Sequence, residues 1–355
     1  MTAGGPRPGP PGGPSAGRPA PAPQRRLRLW GVSMVRNEAD IIEPFVRHNL
    51  TILDGLAIVD HGSYDATLAI LDRLARERLP LVVYENDMPG YLQEHITTSA
   101  VRRTLSELGA DFVFPLDADE FLKVPSRVEL ERGLRAIPPG MHGLLRWLTY
   151  VPRFGAPEAD PVGLLRGAKR LATERHVFHK AIVSRHLLAT PDALLSEGNH
   201  YVAPRAHAPA HESGPHARMR EHVAAIAHVP IRSAAQLVAK VAIKKLGRVA
   251  ASADWKPDAA SQTAYAAVRA GRELDVPALV EHAVNWSVPR GAWIAAESVS
   301  LVDDPFLAPI ELRYTPPSAA DPLPLVLAAT ERIVRRLAPA RDGAAGSASD
   351  GAPAP

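Results

Sequence analysis

Short apolar runs alternate with segments of helical spacing through the first third of the chain. Between the runs, apolar residues recur every three or four positions, as at Leu68, Leu71 and Leu74, and the first helix is expected to open at Asn37 and Glu38. Strands that alternate with helices predict an α/β fold with a mainly parallel sheet covered by helices. The predicted strands are residues 27–35, 56–59, 81–84 and 111–116, and a third helix is predicted at 94–108.

The pattern is less regular after residue 121. Helical spacing returns near residue 233, where Ser233 is expected to cap a helix, and the chain to about residue 336 is expected to be helical with proline breaks. The other expected elements are a helix at 127–136, strands at 143–148 and 177–184, a polar stretch rich in Pro and His at 201–220, and the helix at 233–249.

Both ends of the chain are rich in proline and small residues. Residues 1–26 and 340–355 carry too little apolar bulk to offset the entropy of ordering, so we predict that both are disordered tails. Residues 1–23 lack the apolar segment of a secretion signal, and no run approaches the roughly 20 apolar residues of a membrane span. We therefore expect a cytoplasmic protein that is soluble or peripheral at the inner membrane face.

Charge and cysteine content exclude several classes of protein. The formal net charge of +3 comes from Arg and Lys scattered along the chain, without the dense basic stripe of a nucleic-acid binder. With zero cysteines, the chain has no disulfide framework, thiolate zinc site or cysteine nucleophile. We expect no nucleic-acid partner, and any metal ion must be bound by oxygen and nitrogen ligands.

Carboxylates follow two of the predicted strands. Asp60 comes directly after Val59, and Asp117 and Asp119 follow the apolar run 113–116. Ligands of open α/β sheets bind at the carboxyl ends of the strands, although a single Asp-x-Asp is as often only a loop cap. Two such strand ends in one sheet favour a functional site. Mg²⁺ or Mn²⁺ commonly bridges one or two carboxylates to the phosphates of a substrate.

Three segments carry a family resemblance. Residues 32–40 are Val-Ser-Met-Val-Arg-Asn-Glu-Ala-Asp, residues 59–67 are Val-Asp-His-Gly-Ser-Tyr-Asp-Ala-Thr, and residues 114–121 are Phe-Pro-Leu-Asp-Ala-Asp-Glu-Phe. Together they resemble the family-2-type glycosyltransferases, and more narrowly a bacterial subgroup with Asn-Glu, Asp-x-Gly-Ser-x-Asp-x-Thr and Asp-x-Asp-Glu-Phe at its strand ends. The resemblance covers about residues 28–125, and the order and spacing of the three motifs make it specific.

The resemblance implies an A-type glycosyltransferase fold with a nucleotide and metal site at these strand ends. Asp60 would contact the base or ribose, Asp117 the ribose, and Asp119 a Mn²⁺ or Mg²⁺ ion. Asn37 and Glu38 would lie against the nucleotide, or else simply form the N-terminus of a helix. The implied organisation is a nucleotide-sugar-binding part at 27–125, a part at 126–249 that completes the acceptor and metal sites, and a helical extension at 250–339.

The second half supplies further candidate ligands. A-type transferases often complete the metal shell with a C-terminal His, so His228 is the first candidate and His200 the second, although either can be a core histidine. Lys180, Arg232 and Lys240 are candidate cations for the diphosphate, or else face solvent.

The expected reaction is transfer of a sugar from a nucleoside-diphosphate sugar to an acceptor hydroxyl of a glycan, a lipid or a small molecule. The resemblance implies inversion, and retention stays open because no clear acidic pair marks the base. Glu197 is favoured as the catalytic base over Glu174 and Glu212, because its segment is polar and looks ordered.

Other functions are compatible with parts of the pattern. A nucleotidyltransferase would also use carboxylates and Mg²⁺, but residues 36–38 show no glycine-rich phosphate loop. A non-catalytic nucleotide- or carbohydrate-binding module is disfavoured by the intact Asp60, Asp117 and Asp119. A metallohydrolase is disfavoured because the histidines lack His-x-His or His-Glu-x-x-His spacing.

Overall fold

A computed structural model of the protein describes residues 25–88, 92–155, 161–251, 259–286, 288 and 293–337. Its first half alternates strands and helices. These elements are β1 (Leu29–Val35), α1 (Ile42–Asn49), β2 (Gly55–Asp60), α2 (Thr67–Arg76), β3 (Leu81–Glu85), α3 (Gln93–Ser106), β4 (Phe112–Pro115), β5 (Glu120–Lys123) and α4 (Arg127–Arg135).

The second half begins with strands and ends with helices. It contains β6 (His142–Val151), α5 (Pro161–Arg166), β7 (Lys169–Leu171), β8 (His179–Ser184), β9 (Leu194–Leu195), β10 (Val202–Ala203), β11 (His216–Arg218), β12 (Ala225–His228), α6 (Ala234–Ala251), α7 (Ala259–Arg269), α8 (Val276–Val284), β13 (Leu301–Val302) and α9 (Pro322–Leu337), with short 3-10 turns between them.

The sheet is parallel in its first half and mixed in its second. Strands β3, β2, β1 and β4 lie side by side in that order and run parallel. Strand β8 continues the sheet antiparallel to β4, and β6 lies beyond it. Strand β12 pairs with both β6 and β5, with His228 opposite Glu120. This pairing brings the end of β12 next to the loop that follows β4.

The core lies on both faces of the parallel strands. Successive side chains of a strand point to opposite faces, so Leu56 and Ile58 of β2 pack under α1 and α2, whereas Ala57 and Val59 pack under α3. Burial on both faces explains why β2 is apolar throughout until Asp60. Asp60 is thus the first polar residue of β2 and lies at its carboxyl end.

The predicted α/β architecture is confirmed: a sheet that is parallel through its first four strands is flanked by helices, and the C-terminal part is largely helical. Ser233 caps α6 as predicted, since its Oγ accepts the N–H of Gln236 at 3.1 Å. The predicted opening of the first helix at Asn37 is wrong. Asn37 has a left-handed φ of 57°, and α1 begins only at Ile42.

The predicted tails fall almost entirely outside the described residues. Arg25 and Arg26 are an exception, because they form ion pairs with Asp111 and Asp54 and so contact the fold. The described part of the chain contains no helix that is long and apolar enough to cross a membrane.

Two buried polar residues of α1 fix the segment that leads into the C-terminal helix α9. The Glu43 carboxylate accepts main-chain N–H groups of residues 313–315, and Nδ1 of His48 accepts the N–H of Ala308 at 3.0 Å. This segment is thus held against the first half of the protein.

Candidate active site

A cleft of about 640 Å³ lies at the carboxyl ends of β1 and β4. The loops after these two strands form its floor, and the end of β12, the strands β6 and β8, and one face of α6 form its walls. This is the position at which open α/β sheets bind their ligands. The predicted site residues on its lining are Asn37, Glu38, Asp117, Asp119, Glu197 and His228, together with the second candidate ligand His200 and the candidate cations Lys180, Arg232 and Lys240.

Asp117 lies on the cleft floor beside a buried lysine. Nζ of Lys180 donates a 2.7 Å hydrogen bond to Oδ2 of Asp117 and lies 2.7 Å from Oε1 of Glu120. Glu120 is fully buried, and its other oxygen accepts the N–H of Asp117 at 3.0 Å. Because burial outweighs the attraction of Lys180, the pKa of Glu120 is raised to about 8. Glu120 is thus a support for Asp117 beneath the cleft floor.

Asp119 contacts both a lysine and a histidine. Oδ2 accepts a 2.6 Å hydrogen bond from Nζ of Lys240, and Oδ1 lies 3.6 Å from Nε2 of His228. Burial tends to raise the pKa of Asp119, but the charge of Lys240 and the contact with His228 hold it well below its usual value. Burial lowers the pKa of His228, which favours the neutral ring, the form that can act as a metal ligand.

The donor set of Asp119 and His228 fits one divalent ion. Two ligands that are each about 2.1 Å from an ion can be no more than about 4.2 Å apart, and the observed separation of 3.6 Å is within that limit. No group of three or more His, Asp or Glu side chains in the described residues is arranged to hold a metal. Phosphate oxygens and water would therefore supply the remaining ligands, as is common for Mg²⁺ and Mn²⁺.

A buried ion-pair group forms the wall between β1 and α6. Arg232 donates to Glu38 at 2.6 Å and to Asp40 at 2.6 and 2.9 Å. Burial raises the pKa of Glu38 to about 7, although Arg232 and Lys240 oppose this shift. Glu38 is therefore tied to a cation, and it precedes α1, which begins only at Ile42.

The turn after β2 does not place Asp60 on the cleft lining. The Asp60 side chain is buried, and its Oδ2 accepts the N–H groups of Gly62 and Ser63 at 3.1 and 3.0 Å. His61 lines the cleft instead. Burial and the charge of Arg36 lower the pKa of His61 to about 3. Contact between Asp60 and a nucleotide stays a prediction, and in this structure its carboxylate shapes the turn.

The three candidate bases lie in different places. Glu197 lines the cleft with its side chain 47% exposed and forms an ion pair with Arg248 of α6. Glu174 is half-buried outside the cleft, where it accepts the N–H of Thr149 at 2.6 Å. Glu212 pairs with an arginine in an exposed loop. Of these three, only Glu197 lines the cleft.

Aromatic side chains form a wall of the cleft that the sequence pattern does not predict. Trp147 of β6 lies with its ring 4.2 Å from that of His228 and 5.7 Å from those of Phe178 and His200. Nδ1 of His200 lies 2.9 Å from a main-chain oxygen, and burial lowers the pKa of this residue to about 4. Trp286 lies across the cleft beneath the cation of Lys240. No local periodicity marks these residues, because they converge only in the folded chain.

No family model and no curated protein matches the chain. Among solved structures it is similar to TarS from S. aureus, at 13% identity and a TM-score of 0.37 over 75% of this chain and 74% of that one. It is also similar to the mannosyltransferase PcManGT from Pyrobaculum calidifontis in complex with GDP-Man and Mn²⁺, at 18% identity and a TM-score of 0.35 over 71% and 75% of the two chains.

A third similar structure is glucosyl-3-phosphoglycerate synthase from Mycobacterium tuberculosis in complex with Mn²⁺, UDP and glucosyl-3-phosphoglycerate. The identity is 20% and the TM-score 0.27, over 46% of this chain and 59% of that one. At these identities and TM-scores the similarity assigns neither an activity nor a residue role to this chain.

Proposed function

We propose that the protein is a metal-dependent glycosyltransferase that moves a sugar from a nucleoside-diphosphate sugar to an acceptor hydroxyl, with inversion. The observation that carries the proposal is the pair Asp119 and His228, 3.6 Å apart in a cleft that also presents Lys180, Arg232 and Lys240. A carboxylate and an imidazole that can hold a metal ion, together with several cations, suit the binding of a diphosphate. The negative charge on the diphosphate grows as it leaves the sugar.

The predicted site residues on the cleft lining take the following roles in this proposal. Asp119 and His228 would hold Mn²⁺ or Mg²⁺, which stabilises the charge of the departing diphosphate when it is bound. Asp117, fixed by Lys180, would accept hydrogen bonds from the ribose. Asn37 and Glu38 lie at the end of β1, where they would bound the nucleotide.

Glu197 is the proposed catalytic base. Its carboxylate lines the cleft and is about half exposed, so an acceptor hydroxyl can reach it. Arg248 orients the carboxylate from α6. Transfer of the hydroxyl proton to Glu197 would make the acceptor oxygen a better nucleophile as the bond between the sugar and the diphosphate breaks.

The test is release of nucleoside diphosphate from a panel of nucleoside-diphosphate sugars, with Mn²⁺, with Mg²⁺ and with EDTA. The wild type should release product only with metal. Asp119→Asn should reduce release by at least about 100-fold, because it removes a charged ligand. The matched control is Asp303→Asn, an exposed residue paired with Lys169, which should behave as wild type.

Two outcomes would contradict the proposal. Undiminished release in EDTA would exclude the assigned role of the metal. Binding of nucleoside diphosphates without turnover of any donor, in the presence of varied sugar acceptors, would show a binding module instead of an enzyme.

A further inference from the structure

The C-terminal helix α9 crosses from the cleft to the strand ends at which the nucleotide is expected. Leu325, Ala329, Arg332 and Arg336 follow one another at intervals of four, three and four residues and so share one face of the helix. Leu325 lines the cleft, and it packs with Ala329 against α6. Toward its C-terminus this face becomes basic.

The basic end of this face lies on the turn after β2. Gly62 has a left-handed φ of 72°, and a Cβ atom at this position would collide with Nη1 of Arg332. The guanidinium thus occupies the space that a side chain at Gly62 would fill. One turn further along the helix, Arg336 forms an ion pair with Asp87, just after β3.

Two nitrogen donors beside this turn are buried without a partner. Nη2 of Arg332 and Nδ2 of Asn37 have no hydrogen-bond acceptor among the described residues. Asn37 is held in place by the same turn, because its Oδ1 accepts the N–H of Tyr64 at 2.7 Å and its own N–H donates to Oγ of Ser63 at 2.9 Å. Buried hydrogen-bond donors in folded proteins nearly always have an acceptor. We therefore expect these two nitrogen atoms to bind acceptor atoms of a ligand.

We propose that Arg332 helps to recognise the nucleoside-diphosphate sugar. In this proposal α9 closes one end of the cleft, and Arg332 and Asn37 donate hydrogen bonds to oxygen atoms of the nucleoside there. This inference rests on the proposed function. It adds helix α9 to the site that binds the nucleoside-diphosphate sugar. The diphosphate is not the partner, because the cations that suit it, Lys180, Arg232 and Lys240, surround Asp117 and Asp119 instead.

The test compares Arg332→Gln with Arg335→Gln in the full-length chain. Arg335 lies on the same helix, is 80% exposed and pairs with Glu331, so it is a matched control for loss of one arginine. The dissociation constants of UDP, GDP, dTDP and ADP are measured by calorimetry with Mn²⁺, and inorganic pyrophosphate with Mn²⁺ is the probe that lacks a nucleoside.

We expect Arg332→Gln to weaken the preferred nucleoside diphosphate by about tenfold, the usual effect of losing a hydrogen bond from a charged donor. Its affinity for pyrophosphate should stay at the wild-type value, which also shows that the cleft is folded. Arg335→Gln should match the wild type for every probe. Arg332→Lys, which keeps the charge and the packing of the stem, should lose affinity for the nucleotide but not for pyrophosphate.

Two results would overturn the inference. One is an unchanged nucleotide affinity in Arg332→Gln. The other is an equal loss of nucleotide and pyrophosphate affinity in both Arg332 variants, which would make Arg332 a structural residue. If the wild type bound none of the four nucleotides with Mn²⁺, the proposed function itself would fail, so the two failures are distinguishable.

Discussion

The neutral state of His48 makes the stability of the fold depend on pH. His48 lies on α1 and is 2% exposed. Its Nε2 lies 2.8 Å from the carbonyl oxygen of Leu122 and its Nδ1 accepts the N–H of Ala308, so one ring nitrogen donates and the other accepts. Protonation would put a hydrogen on the accepting nitrogen. Burial lowers the pKa of His48 to about 4 from the ordinary value of 6.5.

The direction of the pH effect on stability follows from the pH at which His48 binds a proton in the folded and in the unfolded state. Between pH 6.5 and about 4, the unfolded chain protonates His48 whereas the folded protein does not. The free energy of unfolding therefore falls as the pH falls through this window, and the stabilisation is fully present above pH 6.5. With a pKa of 6.5 in the unfolded chain and about 4 in the folded protein, the free energy of unfolding falls by about 2.5 kcal/mol between pH 7.5 and pH 4.5.

Urea unfolding at pH 7.5, 6.5, 5.5 and 4.5 measures this loss, with tryptophan fluorescence as the signal. Other buried histidines, His61, His142 and His200, contribute in the same direction, so the His48 share is obtained from His48→Gln. Glutamine does not titrate. The variant should be less stable than wild type at pH 7.5, and this difference should shrink by about 2.5 kcal/mol at pH 4.5.

The matched control is His211→Gln, since His211 is exposed in the loop before β11. Its difference from wild type should stay constant across the four pH values. A constant difference for His48→Gln as well would refute the argument, because it would mean that His48 has the same pKa in the folded and unfolded states.

Further predictions concern the cleft. His228→Ala should raise the Mn²⁺ concentration for half-maximal turnover by about tenfold, and excess Mn²⁺ should restore part of the rate. Glu197→Gln should lower kcat with little change in KM for the donor, since it removes the base but not the nucleotide contacts. Gly62→Ala should destabilise the fold in urea unfolding, because Gly62 has a left-handed φ of 72° and a Cβ there would displace the guanidinium of Arg332; an unchanged stability would contradict this. Calorimetry should show that a nucleoside diphosphate binds at least about tenfold more weakly in EDTA than with Mn²⁺.

The strand ends were predictable because they depend on local pattern. A buried parallel strand is apolar throughout, so the first polar residue after it marks the edge of the sheet, and Asp117 and Asp119 were found on the cleft by this rule. The same rule located Asp60 at an edge but not the direction of its side chain. That direction depends on the turn at Gly62 and Ser63, whose N–H groups the carboxylate accepts.

Features that depend on distant parts of the chain were not predictable from pattern. The position of His228 beside Asp119 depends on the pairing of two four-residue strands, β5 and β12, which are too short to show periodicity. The aromatic wall joins Trp147 and Trp286, which are far apart in sequence. The contact of Arg332 with Gly62 likewise depends on how α9 packs on α6.

The charges around the cleft explain why metal and diphosphate should bind together. Five carboxylates share three cations, and burial raises the pKa of Glu38 to about 7 and that of Glu120 to about 8, so protonation removes part of the excess negative charge near neutral pH. A diphosphate alone would add negative charge to this network. A divalent ion bound to Asp119 would offset the charge of the carboxylates and the charge of the diphosphate. We therefore infer that the cations of the cleft orient the diphosphate, and that the positive charge of the metal ion allows the diphosphate to bind. The three ion-pair groups are Arg232 with Glu38 and Asp40, Lys180 with Asp117 and Glu120, and Lys240 with Asp119.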